Sequence, residues 1–252
     1  SDLFTALWHG GYPAIFDRGL APPDWLGAYV STFVERDVRQ LLNIAELEAF
    51  RTFLGLCAGR SASLLNASEL GRDAGVSHHT ARSWLSVLEA CYLVYRLAPW
   101  HRSFNKRLIK SPKLHFWDTG LACFLLGITE PAQLVRHPLR GPLFESWIVS
   151  EVHKWFIHRG LVPRAWFYRD QRQLEADLIV QLPNGLLAIE VKSAATVPQS
   201  PLESLKRLRE LWQGAGEEPP CIALVYGGDE DQKRSEGEIV SWRGIRQLLE
   251  RG

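Results

Sequence analysis

Two charged side chains interrupt a run that otherwise has the composition of a fully buried strand. The stretch Leu186–Ser193 reads LLAIEVKS, and a side-chain period of two puts Glu190 and Lys192 on one face, with Ile189 and Val191 on the other. Burying charge is costly unless it is paired or used. This strand therefore holds either an internal salt bridge or one wall of a polar site. Just before it, Pro183-Asn184-Gly185 is too short a connection for a parallel crossover, so Glu175–Leu182 is expected as its antiparallel neighbour. Asp177, inside the apolar run Ala176-Asp177-Leu178-Ile179-Val180, then faces Glu190 across the pairing.

Converging carboxylates of this kind suit Mg²⁺ or Mn²⁺, which keep several waters and bind few protein oxygens. Such an ion lowers the pKa of a bound water, and Lys192 is placed to orient that water and to offset charge developing on a phosphate. Glu145, on a helix preceding the strands, is a third candidate ligand or water-orienting acid. Tyr168 and Arg169 at the end of the first strand, with Gln171 and Gln173 in the following loop, are candidate phosphate contacts.

The surrounding pattern predicts two domains, 1–140 and 141–252, divided where Pro138 and Gly141 break the segment RHPLRG. The second reads as helix Phe144–Ile157, strands Ala165–Tyr168, Glu175–Leu182 and Leu186–Ser193, helix Leu202–Trp212, strand Cys221–Tyr226, strand Glu238–Trp242 and helix Arg243–Leu249. In the first, apolar residues from Trp25 to Ala58, Leu41 and Leu42 among them, recur at helical spacing. Asn66–Ala90 carries a helix-turn-helix pattern, with Ser68 and Ser77 as expected caps and Gly75 in the turn. Strands Tyr92–Leu97 and Leu114–Trp117 around HRSFNKRLIKSPK resemble the wing of a winged helix, so the winged helix-turn-helix spans about 60–117. On this reading Ser77, His78, His79, Arg82 and Ser83 approach a DNA groove, while Arg102, Lys106, Arg107, Lys110 and Lys113 lie along phosphates. Winged helices serve equally as packing or docking modules, and that alternative stands beside the first.

Glu145, Asp177 and the Glu190-Val191-Lys192 triplet on an αβββαβ frame resemble the PD-(D/E)XK, or restriction-endonuclease-like, nuclease superfamily. The resemblance implies metal-dependent hydrolysis of nucleic-acid phosphodiesters, with Glu145, Asp177, Glu190 and Lys192 as catalytic residues; the superfamily also contains inactive members. GGYP at Gly10–Pro13, VERDVRQL at Val34–Leu41, KLHFWDTGLACFLLG at Lys113–Gly127, GPLFESW and YRDQRQLEADLIV resemble the C-terminal half of a prokaryotic family of AAA-like P-loop ATPases. That family joins an ATPase domain to a winged helix and a nuclease-like domain of unknown function 4143. The chain itself has no G-x-x-x-x-G-K-[ST] loop and hence no ATP site of that kind, so the expected partners are DNA and an N-terminal ATPase domain.

Composition narrows the setting. With 29 basic and 28 acidic residues the bulk charge does not mark a nucleic-acid binder, so any such surface must be local. Four widely spaced cysteines without a C-x-x-C pair point to reduced thiols, and no apolar run is long enough for a bilayer, so the expected location is cytoplasmic. The start at Ser1 and the lack of methionine fit a fragment. The fold class expected is α+β: a helical winged helix-turn-helix domain followed by an α/β nuclease-like domain.

Overall fold

The computed structural model describes residues 2–38, 47–100 and 109–252. Leu41 and Leu42, and the basic residues Arg102, Lys106 and Arg107, lie outside the described residues. The fold is mixed α and β, with helices and two sheets. It divides into two compact units, Ser1–Arg96 with Lys113–Trp147, and Leu97–Pro112 with Ile148–Gly252. The division thus falls seven residues beyond the expected break at 140, inside helix Arg140–Ile157, and groups Leu97–Pro112 with the second unit.

In the first unit, Asp2 caps helix α1 (Leu3–His9) by accepting the Thr5 N–H. Short helices α2 (Pro13–Asp17) and α3 (Pro22–Tyr29) follow, each with proline in its first turn, and α3 continues as a π-helix, Val30–Val38. Asp118 organises this region. Its carboxylate accepts the Leu121 N–H at 2.8 Å, capping helix Thr119–Leu125, and the Gly11 N–H at 2.6 Å. Gly10 takes a positive φ of 67° there, and a Cβ on Gly120 would lie 2.8 Å from the His9 carbonyl. The GGYP and WDTG motifs are therefore two sides of one close backbone contact.

Helix α4 (Leu47–Gly59) buries Phe50 and Phe53, which meet the buried Trp84 edge-on. Trp84 belongs to α6 (His78–Ala90), joined to α5 (Ala67–Asp73) by a turn in which Gly75 adopts φ 73°. Ser77 caps α6 as its position predicts, whereas α5 is capped by Asn66 and not Ser68. Strands β1 (Ser63–Leu64), β2 (Val94–Leu97) and β3 (Lys113–Phe116) form a three-stranded sheet in the order β1-β3-β2. Helices α7 (Thr119–Leu125), α8 (Pro131–Leu134) and α9 (Arg140–Ile157) follow.

The second unit is built on a six-stranded sheet in the order β4-β5-β6-β7-β9-β8: Ala165–Arg169, Glu175–Leu182, Gly185–Lys192, Cys221–Tyr226, Gly237–Ser241 and Gln232–Arg234. Strands β4, β5 and β6 are mutually antiparallel, β6, β7 and β9 run parallel, and the short edge strand β8, which periodicity does not reveal, pairs antiparallel with β9. Helix α10 (Glu203–Gly214) buries Leu205, Leu208 and Trp212 in one cluster with Ile179, Ala188, Ile222 and Leu224 of the sheet, and α11 (Ile245–Arg251) closes the chain. The free edge of β4 is covered. Trp100 N–H donates to the Phe167 carbonyl at 2.7 Å, Phe167 N–H to Ala98, and Ile109 N–H to Arg169. Both described ends of the expected wing tip are thus laid along the sheet of the second unit. Among the described residues no helix is long and apolar enough to cross a membrane.

Candidate functional site

The candidate residues Asp177, Glu190 and Lys192 lie where the β5–β6 hairpin stops pairing. The ladder runs from Leu182↔Gly185 at the turn to Leu178↔Ile189. On its other side β5 pairs Ile179 with Trp166 but Ala176 with Tyr168, so β5 spends three residues where β4 spends two. The extra residue makes a bulge at Asp177–Leu178, a device that re-aims a side chain and ends regular pairing. Released from the ladder, the Asp177 carboxylate accepts the Val191 N–H at 2.7 Å. A side chain here takes the place of a backbone carbonyl.

Glu190, one residue earlier on β6, has a side chain only 15% exposed, with Lys192 Nζ 2.6 Å from its Oε1. Burial raises the Glu190 carboxyl above its ordinary range, the neighbouring Asp177 charge raises it further and Glu175 adds to this, while Lys192 opposes the shift. The two carboxylates therefore repel, and one ammonium does not cancel the cost. A divalent cation fits this arrangement: the donors are hard oxygens, their charge is in excess, and Mg²⁺ is commonly held by two carboxylates plus waters. Among the described residues no group of three or more His, Cys, Asp or Glu is gathered so as to hold a metal ion.

Glu145 belongs to the first unit, where Lys113 Nζ lies 2.8 Å from its Oε1, with side-chain exposures of 4% and 14% for the lysine and the glutamate. Next to this ion pair, His115 Nδ1 is 3.0 Å from Ser146 Oγ, and the Tyr95 ring stacks on His115. Lys113, expected among the hairpin charges along phosphates, is thus no member of a basic surface, because its partner lies 32 residues away, where no local pattern marks it. Ser77, the cap of α6, and His78, His79, Arg82 and Ser83 on the helix are all exposed, whereas Ala81, Trp84, Leu85 and Leu88 are buried. Lys110 is exposed as well. Tyr168 corrects the expectation of a phosphate contact. It is 0% exposed and packs edge-on against Trp212, so its ring serves the core. Arg169 is half-buried, donates to Gln173 at 2.6 Å and lies 3.7 Å from Glu175. The loop between them is shaped by buried Asp170, which accepts the N–H groups of Arg172 and Leu174 and holds Gln171, Arg172 and Gln173 outward. All four cysteines are free of disulfides, and burial raises the Cys57 and Cys123 thiols to about 12.

Comparison with known proteins places this geometry in a family context. The family model described as Domain of unknown function (DUF8612) matches residues 1–132, more than half of the chain. The chain belongs to the DUF8612 family. A second model, described as Domain of unknown function (DUF4143), matches residues 140–245 and so covers the β5–β6 site of this family member. Two curated relatives, Uncharacterized protein Mb2031c of Mycobacterium bovis and Uncharacterized protein Rv2008c of Mycobacterium tuberculosis, are each 31% identical to it over 199 residues, 78% of this chain and 44% of each relative. The chain spans less than half the length of these curated relatives.

Proposed function

We propose that the second unit is a metal-dependent nuclease of the PD-(D/E)XK type that hydrolyses nucleic-acid phosphodiester bonds. The observation that carries this reading is the bulged β5 strand, which turns the Asp177 carboxylate to the Val191 amide beside a buried Glu190 paired with Lys192. Asp177 and Glu190 would hold Mg²⁺ or Mn²⁺, which would supply an activated water and Lewis-acid neutralisation of the scissile phosphate. Lys192, half-exposed and already hydrogen-bonded to Glu190, is placed to orient that water and to meet developing negative charge. Val191's amide holds the Asp177 carboxylate in one orientation, which limits the reorganisation needed at the reacting centre.

The first unit supports a DNA-holding role. Helices α5 and α6, joined by a tight turn and followed by β2 and β3, fit a winged helix-turn-helix, and the outer side of α6 offers His78, His79 and Arg82 to a groove. The motif resemblance to AAA-like P-loop ATPases supports a cytoplasmic, ATPase-coupled DNA-processing protein of which this chain is the C-terminal part.

A second reading, a binding module without cleavage, is favoured by one observation: Glu145 is engaged by Lys113 in the first unit. Plasmid and single-stranded DNA, incubated with Mg²⁺ or Mn²⁺, separate the two. Cleavage that disappears in folded Asp177→Ala and Lys192→Ala supports the nuclease. DNA binding without cleavage, weakened by Arg82→Ala but not by Asp177→Ala, supports the module.

A further inference from the structure

One end of the second unit's sheet gathers the proposed site and two cations that the site itself does not use. Strands β5 and β6 run in opposite directions. The start of β5, with Asp177, and the end of β6, with Glu190 and Lys192, therefore share that end with the β4–β5 loop. The loop is held in one shape. Buried Asp170 accepts the Arg172 N–H at 2.8 Å and the Leu174 N–H at 3.0 Å, and Gln173 takes a φ of 64°, which residues other than glycine rarely adopt. Arg169, at the root of the loop, is engaged by Gln173 and Glu175. Arg172, in its middle, is exposed and has no ion-pair partner among the described residues.

The second cation comes from a distant part of the chain. Ile109 N–H donates to the Arg169 carbonyl at 3.2 Å, which sets Lys110 beside the root of the same loop. Lys110 is also exposed, again with no ion-pair partner among the described residues. Its expected place was along phosphates bound by the helix-turn-helix; the hydrogen bond ties its neighbour to the second unit instead. The other flank of the site has the opposite sign. Gly227 N–H donates to the Lys192 carbonyl at 3.0 Å, so the loop after β7 borders the end of β6. That loop exposes Asp229, Glu230 and Asp231, of which Asp229 is paired with Arg243. A polyanion is drawn to the β4 flank and repelled from the β7 flank.

We propose that Lys110 and Arg172 clamp the phosphate backbone of a nucleic-acid strand where it enters the site over the end of β4. The clamp's place beside a reacting centre rests on the nuclease reading, whereas its binding of phosphate does not. Two strand spacings put β4 about 10 Å from β6. The two cations therefore meet a phosphate next to the scissile one and act on binding rather than on the chemical step.

The test uses the full chain and a fluorescein-labelled single-stranded DNA oligonucleotide, with affinity read by fluorescence anisotropy over a series of salt concentrations and without divalent metal. Lys110→Ala and Arg172→Ala are each expected to weaken binding about three- to tenfold at low salt and to lower the slope of log affinity against log salt by about 0.7. Arg172→Lys keeps the charge and should retain most of both. The two side chains are exposed, so these variants keep their fold. Lys233→Ala removes an exposed charge from the far edge strand β8 and is expected to change neither quantity. With Mg²⁺ added, the Lys110→Ala, Arg172→Ala double variant should cleave with a raised KM and an unchanged kcat. Anisotropy losses as stated, in a protein that cleaves nothing, would support the clamp and sink the nuclease reading. Cleavage by a double variant with wild-type KM and affinity would do the reverse. A wild type that does not bind the oligonucleotide, or losses matched by Lys233→Ala, would also overturn the clamp.

Discussion

The Asp177 carboxylate receives the Val191 amide at 2.7 Å, just beyond the last regular pair of the β5–β6 ladder, Leu178↔Ile189. One carboxylate oxygen thereby closes the sheet where a bulge has opened it. Substitutions can separate the structural role of this side chain from the metal-binding role proposed for it.

Asp177→Asn keeps an oxygen for the Val191 N–H and removes the charge. The expected outcome is near wild-type stability with loss of Mg²⁺-dependent cleavage. Asp177→Ala removes the acceptor too and is expected to cost about 1–3 kcal/mol in urea unfolding. Equal destabilisation by both would show that charge, not the hydrogen bond, holds this end of the hairpin.

Glu190 sets a pH dependence whose sign follows from its raised carboxyl. Between the ordinary value of 4.5 and the higher folded value, the folded chain keeps a proton that the unfolded chain has released. The stability this group contributes is complete below pH 4.5 and is lost as pH rises through the folded value. Glu190→Gln cannot ionise, so thermal melts should show the wild type falling relative to the variant across that window and running parallel above it. Mg²⁺ should recover the lost stability in the wild type and not in Glu190→Gln. A constant difference at every pH would contradict the burial of this carboxyl.

Lys113 and Glu145 form a buried ion pair in the first unit. Lys113→Met leaves the carboxylate without that ammonium and should destabilise the protein by about 3–5 kcal/mol, whereas Lys113→Met combined with Glu145→Leu should recover most of the loss. Urea denaturation of the two variants reads this directly. An unchanged midpoint in Lys113→Met would mean that water reaches the pair.

Gly120 packs against the end of α1, with no room for a side chain. Gly120→Ala places a Cβ 2.8 Å from the His9 carbonyl and 2.9 Å from the Gly10 nitrogen, and backbone cannot swing aside as a flexible side chain would. The expected cost is about 1–3 kcal/mol, read as a lower melting temperature. Gly19→Ala, where open space surrounds the glycine but φ is 59°, separates the steric effect from backbone strain.

Local periodicity carried much of the secondary structure. The hairpin turn at Pro183-Asn184-Gly185, the shared face of Glu190 and Lys192, and the Ser77 cap depend on neighbours within a few residues, where turn chemistry and side-chain alternation are decisive. Tyr168 departs from its expected role for the opposite reason: an aromatic at a strand end looks the same in sequence whether it meets phosphate or, as here, Trp212 across more than forty residues of chain.

The amino-acid sequence by itself determined the element order of the second unit, its antiparallel hairpin and the presence of acids and a lysine on otherwise apolar strands, because each follows from short-range backbone preference and the burial of apolar faces. Only the tertiary structure decided that β5 bulges at Asp177, that Ala98, Trp100 and Ile109 bond to the edge of β4, and that Glu145 is tied to Lys113. These depend on which distant strand or helix each segment meets, and a buried charge reveals its partner only when the chain has brought the two together.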